Sequence, residues 1–287
     1  MRLEYFHMPD ATDQVVSPAS HWDGPEVRHG RASFKRTLTV QAGLMWTLVR
    51  TDFKARYHGT VSGFAWALLK PTAMFLVLMI VFSFLFADPG YKLRLIVGLI
   101  LWDFFTEATK TGLASLHAKG FLLTKARCPL WVLVITSMAN ALITLIVFIA
   151  VILVFLVATG RSPGLVGLAL FLTYCFAFVL IVAGFSLASS VLFLRYRDLN
   201  QVWDVVAQAG FFLAPIIYPL GIMPERFHFY FYLWPPTPVI EFSRAVLLTH
   251  TVPTRTAHAY LALETAIAMF VGIVVFRRLA PGAAEQV

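Results

Sequence analysis

The chain has 287 residues, 59% of them hydrophobic and only 13% charged, with a net charge of +8. Soluble domains are about half apolar and about a quarter charged, so the apolar excess has to face lipid. The Lys and Arg residues gather beside apolar runs, where they read as headgroup contacts and topology signals rather than as a nucleic-acid surface.

Residues 1–40 contain no apolar core of a secretory signal. Their Pro, Ser, Asp and Gly content reads as a loosely ordered cytoplasmic tail, with residues 30–40 as a basic connector. Residues 41–58 place Leu44, Leu48, Val49 and Phe53 at helical spacing, with Arg50, Lys54 and Arg56 nearby. That pattern predicts an amphipathic helix in the cytoplasmic headgroup layer. The chain is organised around residues 52–86, where a basic, aromatic-tipped segment runs past Gly59 and Gly63 into an apolar run interrupted only by Lys70 and Pro71. A helix over 62–86 would be about 37 Å long, enough to cross about 30 Å of hydrocarbon.

A turn signal at 87–90 leads into a second span over 93–116. Within it Asp103, Glu107 and Lys110 fall at i, i+4, i+7, a charged face that must look toward protein or water. Either an ion-pair network or a substrate contact satisfies that requirement. Residues 117–131 are too short and too polar to span, and Lys119, Lys125 and Arg127 put them in the cytoplasm. The third and fourth spans are expected over 132–157 and 165–194, the latter offering Gly184, Ser186, Ala188 and Ser189 for close helix contact. Cys128 and Cys175 lie in a charged loop and an apolar run, so neither a disulfide framework nor a metal cluster is expected.

A fifth span over 202–218 begins with Asp204 and Gln208 and has Pro215 and Pro219 near its end. The aromatic run 227–234 covers only about 12 Å as a helix and cannot cross; residues 220–248 are therefore expected to form two short helices dipping into the outer interface. A sixth span over 257–276 is closed by Arg277 and Arg278. The expected fold is an all-α integral membrane protein of six spans, with an N-terminal interface helix and short outer helices between the fifth and sixth spans. Counting basic residues in the short loops puts both termini in the cytoplasm.

The sequence contains no G-x-x-x-x-G-K-[ST], H-E-x-x-H or G-x-S-x-G motif, so nucleotide-driven work has to come from another polypeptide. The eight histidines are scattered, and the intramembrane charges do not form a proton relay. A membrane-embedded glycosyltransferase or other lipid-modifying enzyme remains open. It would need an essential acid among Asp103, Glu107 and Asp204.

The run DFKARYHGTVSGFAWALLKP over 52–71 resembles the approach to the first span in membrane subunits of ABC-2 type polysaccharide exporters. LLTKARCP over 122–129 resembles their cytoplasmic coupling segment. YRDL at 196–199, FFLAPIIYP at 211–219 and PTPVIEFSR at 236–244 are similar, in that order, to the second half of the same family. The likeness is closest to O-antigen permeases, with exporters of capsule, teichoic polymer, small lipids or drugs as relatives.

The resemblance implies domain bounds of 1–40 (tail), 41–58 (interface helix) and 59–287 (transmembrane domain). It implies a homodimer in the bacterial cytoplasmic membrane, bound to two copies of a separate ATPase that carries the ATP and Mg. The substrate would be an undecaprenyl-type lipid-linked polysaccharide. Coupling to the ATPase would fall to Leu123, Thr124, Lys125, Arg127, Pro129, Arg195, Arg197 and Asp198. Arg50, Lys54, Arg56 and Lys70 are candidates for attracting the lipid pyrophosphate. Phe64, Trp66, Phe211, Phe212 and Tyr218 are candidates for lining the channel, and Phe227, Phe229, Phe231 and Trp234 for an outer gate. No cofactor, metal or catalytic residue is expected in this chain.

Overall fold

The structure, a computed structural model, describes residues 32–59, 63–85, 90–120, 128–158, 160 and 163–283. Two units divide the chain, Met1–Val40 and Gln41–Val287; the described residues of the first, 32–40, are helical. Helix α1 (Ala32–Tyr57) thus starts before the expected Gln41. No Pro or Gly interrupts residues 32–42, and good helix formers populate them.

The remaining helices are α2 (Ala65–Phe82), α3 (Tyr91–Ala118), α4 (Leu130–Ser137), α5 (Ala139–Ala158), α6 (Leu165–Arg195), α7 (Leu199–Leu213), α8 (Glu225–Tyr232), α9 (Pro236–Arg244) and α10 (Arg255–Ala283). Among the described residues, four stretches are long and apolar enough to cross a membrane: Ala65–Phe82, Leu130–Val157, Leu165–Arg195 and Arg255–Gly282. The second of these joins α4 to α5 across a break at Met138. There the Thr136 and Ser137 hydroxyls donate to the Leu133 carbonyl, competing with the helical ladder.

Two expected spans differ from these four. At 28 residues α3 is about 42 Å long, but it carries Lys92, Arg94, Asp103, Glu107 and Lys110. Helix α7 has 15 residues, about 22 Å, and stops at Leu213 rather than continuing to 218. Pro215 is the reason, since it lacks an N–H and pushes Ala214 out of the helical region, to ψ 137°. Helix α2, by contrast, runs straight through Pro71.

Helix α3 sits at the centre, touching α2, α4, α5, α6, α7 and α9. Its interior face presents Leu95, Leu101, Phe104, Phe105 and Ala108, all buried. Phe105 stacks on Phe178 of α6 with ring centroids 5.7 Å apart and planes 6° from parallel. A second, smaller cluster gathers Leu116, Leu133, Val134, Leu187 and Val191, with Leu48 of α1 packed against it. In contrast, α2 buries only Pro71 and Leu78 and turns Leu69, Met74, Val77, Ile80 and Val81 outward. Such an apolar outer face needs lipid or another protein surface.

The tightest crossing joins α6 to α10. Gly184 and Gly272 meet backbone to backbone: a Cβ on Gly184 would fall 2.6 Å from the Ala268 carbonyl carbon, and one on Gly272 2.7 Å from Gly184 Cα. Because the obstructing atoms are main chain, a methyl group forces the helices apart. Gly184→Ala is therefore expected to cost about 1–3 kcal/mol, lowering the melting midpoint of the detergent-purified protein by roughly 3–10 °C. Gly43, with nothing within 4 Å of an added Cβ, is the control, and Gly43→Ala should leave the midpoint level or slightly raised.

Candidate functional site

The charged face of α3 does not close on itself. Each of its charges reaches a different helix: Asp103 pairs with Lys70 of α2 at 3.6 Å, Glu107 with Arg56 of α1, and Lys110 with Asp204 of α7 at 2.6 Å. The i, i+4, i+7 spacing puts the three on one stripe, and the neighbours dock along it with complementary charge. The three carboxylates among which a catalytic reading would seek its essential acid are thus all engaged by cations.

Around the first two pairs lies a cavity of about 50 Å³, lined also by Tyr57, Asn140 and Thr144. Asn140 is buried, and its Oδ1 has no hydrogen-bond partner among the described residues. A space of that size with polar walls suits a few water molecules. On the other side of Lys70 and Asp103 opens a groove of about 430 Å³, floored by Leu99, Trp102 and Thr106 and walled by Pro71, Met74, Val77 and Phe211. One end of it is charged and the rest is apolar.

Among the candidate cations, Arg56 and Lys70 are held by carboxylates, although the Lys70 side chain is 73% exposed. Arg50 and Lys54 are exposed with no acidic partner among the described residues. The aromatic candidates divide. Phe211 lines the groove, and Phe212 and Trp66 face outward. Phe64 packs on Phe53 and Tyr57, closing the corner between α1 and α2. The Tyr218 hydroxyl donates to the Phe212 and Leu213 carbonyls at 2.9 and 3.2 Å, capping α7.

In the outer segment Phe227 and Phe229 are exposed, and Phe231 lies edge-on to Tyr218. Trp234 is instead a wedge, set between Trp102 and Phe105 of α3 and over Gly210 of α7, where a Cβ would collide with its ring. Of the coupling candidates, Leu123, Thr124, Lys125 and Arg127 lie outside the described residues. Pro129 is extended and starts α4. Arg195 ends α6 with its guanidinium 5.7 Å from the Tyr196 ring centroid, and Arg197 and Asp198 are exposed before α7. Burial pushes the Cys128 thiol up from its ordinary value against the opposing pull of Lys119, so it is not an activated nucleophile.

One residue of consequence escapes pattern reading. Arg244, which enters the sequence reading only as the last residue of the 236–244 run, is buried at the end of α9. It donates to the carbonyls of Arg94 (3.0 and 2.8 Å), Pro215 (2.5 Å) and Ile216 (3.0 Å), and it pairs with Glu241 at 2.9 Å. Two of those carbonyls are the ones freed where Pro215 breaks the chain out of α7. Gly98 makes the approach possible, since a Cβ there would fall 2.6 Å from Arg244 Nη2. The available signal was physical: a proline-broken segment leaves orphan acceptors, and an Arg with a carboxylate three residues earlier offers five donors.

Residues 43–248, more than half of the chain, match the ABC-2 type transporter family. The chain is 28% identical over 199 residues to the O-antigen export system permease protein RfbA of Myxococcus xanthus, covering 67% of this chain and 74% of that one. It is 27% identical over 186 residues to the RfbA of Klebsiella pneumoniae, 64% and 72% of the respective chains. The polysialic acid transport protein KpsM of Escherichia coli is 23% identical over 244 residues, 83% of this chain and 94% of KpsM.

Removing the Arg244 fork strands several buried acceptors at once. Arg244→Met is expected to destabilise the protein by about 3–5 kcal/mol, read as a fall in the melting midpoint and in the monodisperse fraction after detergent extraction. Arg244→Lys should recover only part of that loss, because a point-like ammonium cannot reproduce the planar fork.

Proposed function

From the premise that the chain belongs to the ABC-2 type transporter family, we propose that it is the membrane subunit of an ATP-driven exporter. Its substrate is a lipid-linked polysaccharide of the O-antigen kind, moved across the bacterial cytoplasmic membrane. The observation that carries this reading is the family match over 43–248 together with relatives named for O-antigen and polysialic acid transport. The match to KpsM, which spans more of both chains, favours a capsule-type polymer as the second reading.

In this reading α3 and α7 join the four apolar stretches as membrane-crossing elements, with both termini in the cytoplasm. The charged stripe of α3 supports that count, because its partners from α1, α2 and α7 offset its charges at depth. Two copies pair, and each binds one separate ATPase subunit, which supplies ATP and Mg. Leu123, Thr124, Lys125, Arg127 and Pro129, with Arg195, Arg197 and Asp198, form the coupling surface.

Arg50 and Lys54, exposed on α1, draw the lipid diphosphate toward the inner leaflet. The outward faces of α2 and α7, with Trp66, Phe211, Phe212, Asp204 and Gln208, border the sugar path. Aromatic faces give a contact tolerant of sequence, suited to a repetitive polymer. Phe227 and Phe229 stand at its outer end.

Co-purification with the ATPase encoded beside it should return equal numbers of the two subunits, and the complex should restore polymer export to a strain lacking its own permease. Phe211→Ala with Phe212→Ala should cut export about ten-fold, equivalent to roughly 1.4 kcal/mol, with the complex intact. A chain that binds no ATPase, yet modifies a lipid-linked sugar unaided, would overturn the exporter reading.

A further inference from the structure

Lys119 caps α3, and the main chain leaves the helix there at φ −108°, ψ 16°. Its side chain does not follow the chain outward. It is 12% exposed and bonds Asp52 Oδ2 of α1 at 2.5 Å, with Asp52 28% exposed, and Thr136 Oγ1 of α4 at 3.3 Å. Thr136 is buried and spends its own proton on the Leu133 carbonyl, leaving its oxygen free to accept. One ammonium thus joins three helices: the one that precedes residues 121–127, the one that follows them, and α1.

The contact is reinforced along α1. Leu48, Asp52 and Arg56 are spaced by four and share one face. Leu48 packs on the Leu116, Leu133, Val134, Leu187 and Val191 cluster, Asp52 takes Lys119, and Arg56 takes Glu107. Two ion pairs of opposite polarity, one turn apart on α1, fix its register on α3.

We propose that the Asp52–Lys119–Thr136 junction is the tie through which displacement of the 121–127 segment is delivered to α1. Lys119 and Asp52 are positioning residues rather than contacts for ATPase or substrate. The proposal rests on the exporter reading and adds to it where the force goes. Movement of the coupling segment shifts the ends of α3 and α4 and, with them, the α1 surface bearing Arg50 and Lys54. ATP hydrolysis and admission of the lipid diphosphate then become one event. A mostly buried pair suits such a tie, since breaking it exposes two charges to a poor solvent for them.

The test uses the complete complex in a strain lacking its own permease and, after purification, in proteoliposomes, with three readings: assembly, ATP turnover and polymer export. Asp52→Asn and Lys119→Met should each assemble and hydrolyse ATP within about two-fold of wild type while export falls about ten-fold or more. Lys119→Arg should retain export. The exchanged pair Asp52→Lys with Lys119→Asp should regain at least about half of it, as opposite charges restore the coupling. Normal export by both single variants overturns the proposal. So does an exchanged pair that restores neither assembly nor export where the singles have lost them. A wild-type chain that assembles with no ATPase fails the exporter reading instead, and that arm is read independently of any variant.

Discussion

A charged stripe on a helix packed on most sides has to find partners, and this condition determines what stands around α3. Asp103 and Glu107, whose side chains are mostly covered, would carry a desolvation cost if left unpaired, and Lys110 stands beside them on the same stripe. Three other helices answer them, one charge apiece. The finished pairs are half exposed, so their net contribution is only about 0–1 kcal/mol each where water reaches them. Their importance is therefore in position rather than in strength. The observed placement of α1, α2 and α7 answers all three charges.

A second condition is met by the main chain itself. Pro215 ends α7, and the carbonyls it frees cannot be left bare in a setting without water. Arg244 gathers them, adding the Arg94 carbonyl through the opening above Gly98. The guanidinium thus supplies side-chain donors to carbonyls of a segment that has left the helix. Trp234, pressed over Gly210 between α3 and α7, fills the volume beside that break. The outer segment is anchored at its base by these two side chains while Phe227 and Phe229 remain outside.

Much of this was legible in the residues, and the boundary is instructive. Long apolar runs declare themselves because hydrocarbon thickness demands them, as at Ala65–Phe82 and Leu165–Arg195. The stripe on α3 was readable as inward-facing, since spacing fixes a face. Its partners were not, because periodicity names no helix beyond its own. Arg244 was invisible for a stronger reason: its acceptors are carbonyls 28, 29 and 150 residues away, and every residue type has a carbonyl. Tyr218 shows the same limit: its hydroxyl caps α7, a contact with main-chain carbonyls that no residue pattern announces. The early end of α7 was written plainly in Pro215, but the apolar content of Ile216 and Ile217 outweighed it.

The glycine contact between α6 and α10 bears on how compliance is distributed through the bundle. Within lipid, burying a methylene against protein rather than against an acyl chain gains little, so helices cohere through close packing and polar contacts. Gly184 and Gly272 bring two backbones together over a long crossing. Helix α2 is held differently: it fully buries Pro71 and Leu78, packs Leu68, Phe75, Met79 and Phe82 partly against the core, and adds one long ion pair. The elastic modulus of the assembly is accordingly uneven: a stiff spine on one flank and a yielding plank on the other. Displacement is therefore easiest at the seam beside α2, whose outward face is apolar and where an acyl chain can replace lost protein contacts at little penalty.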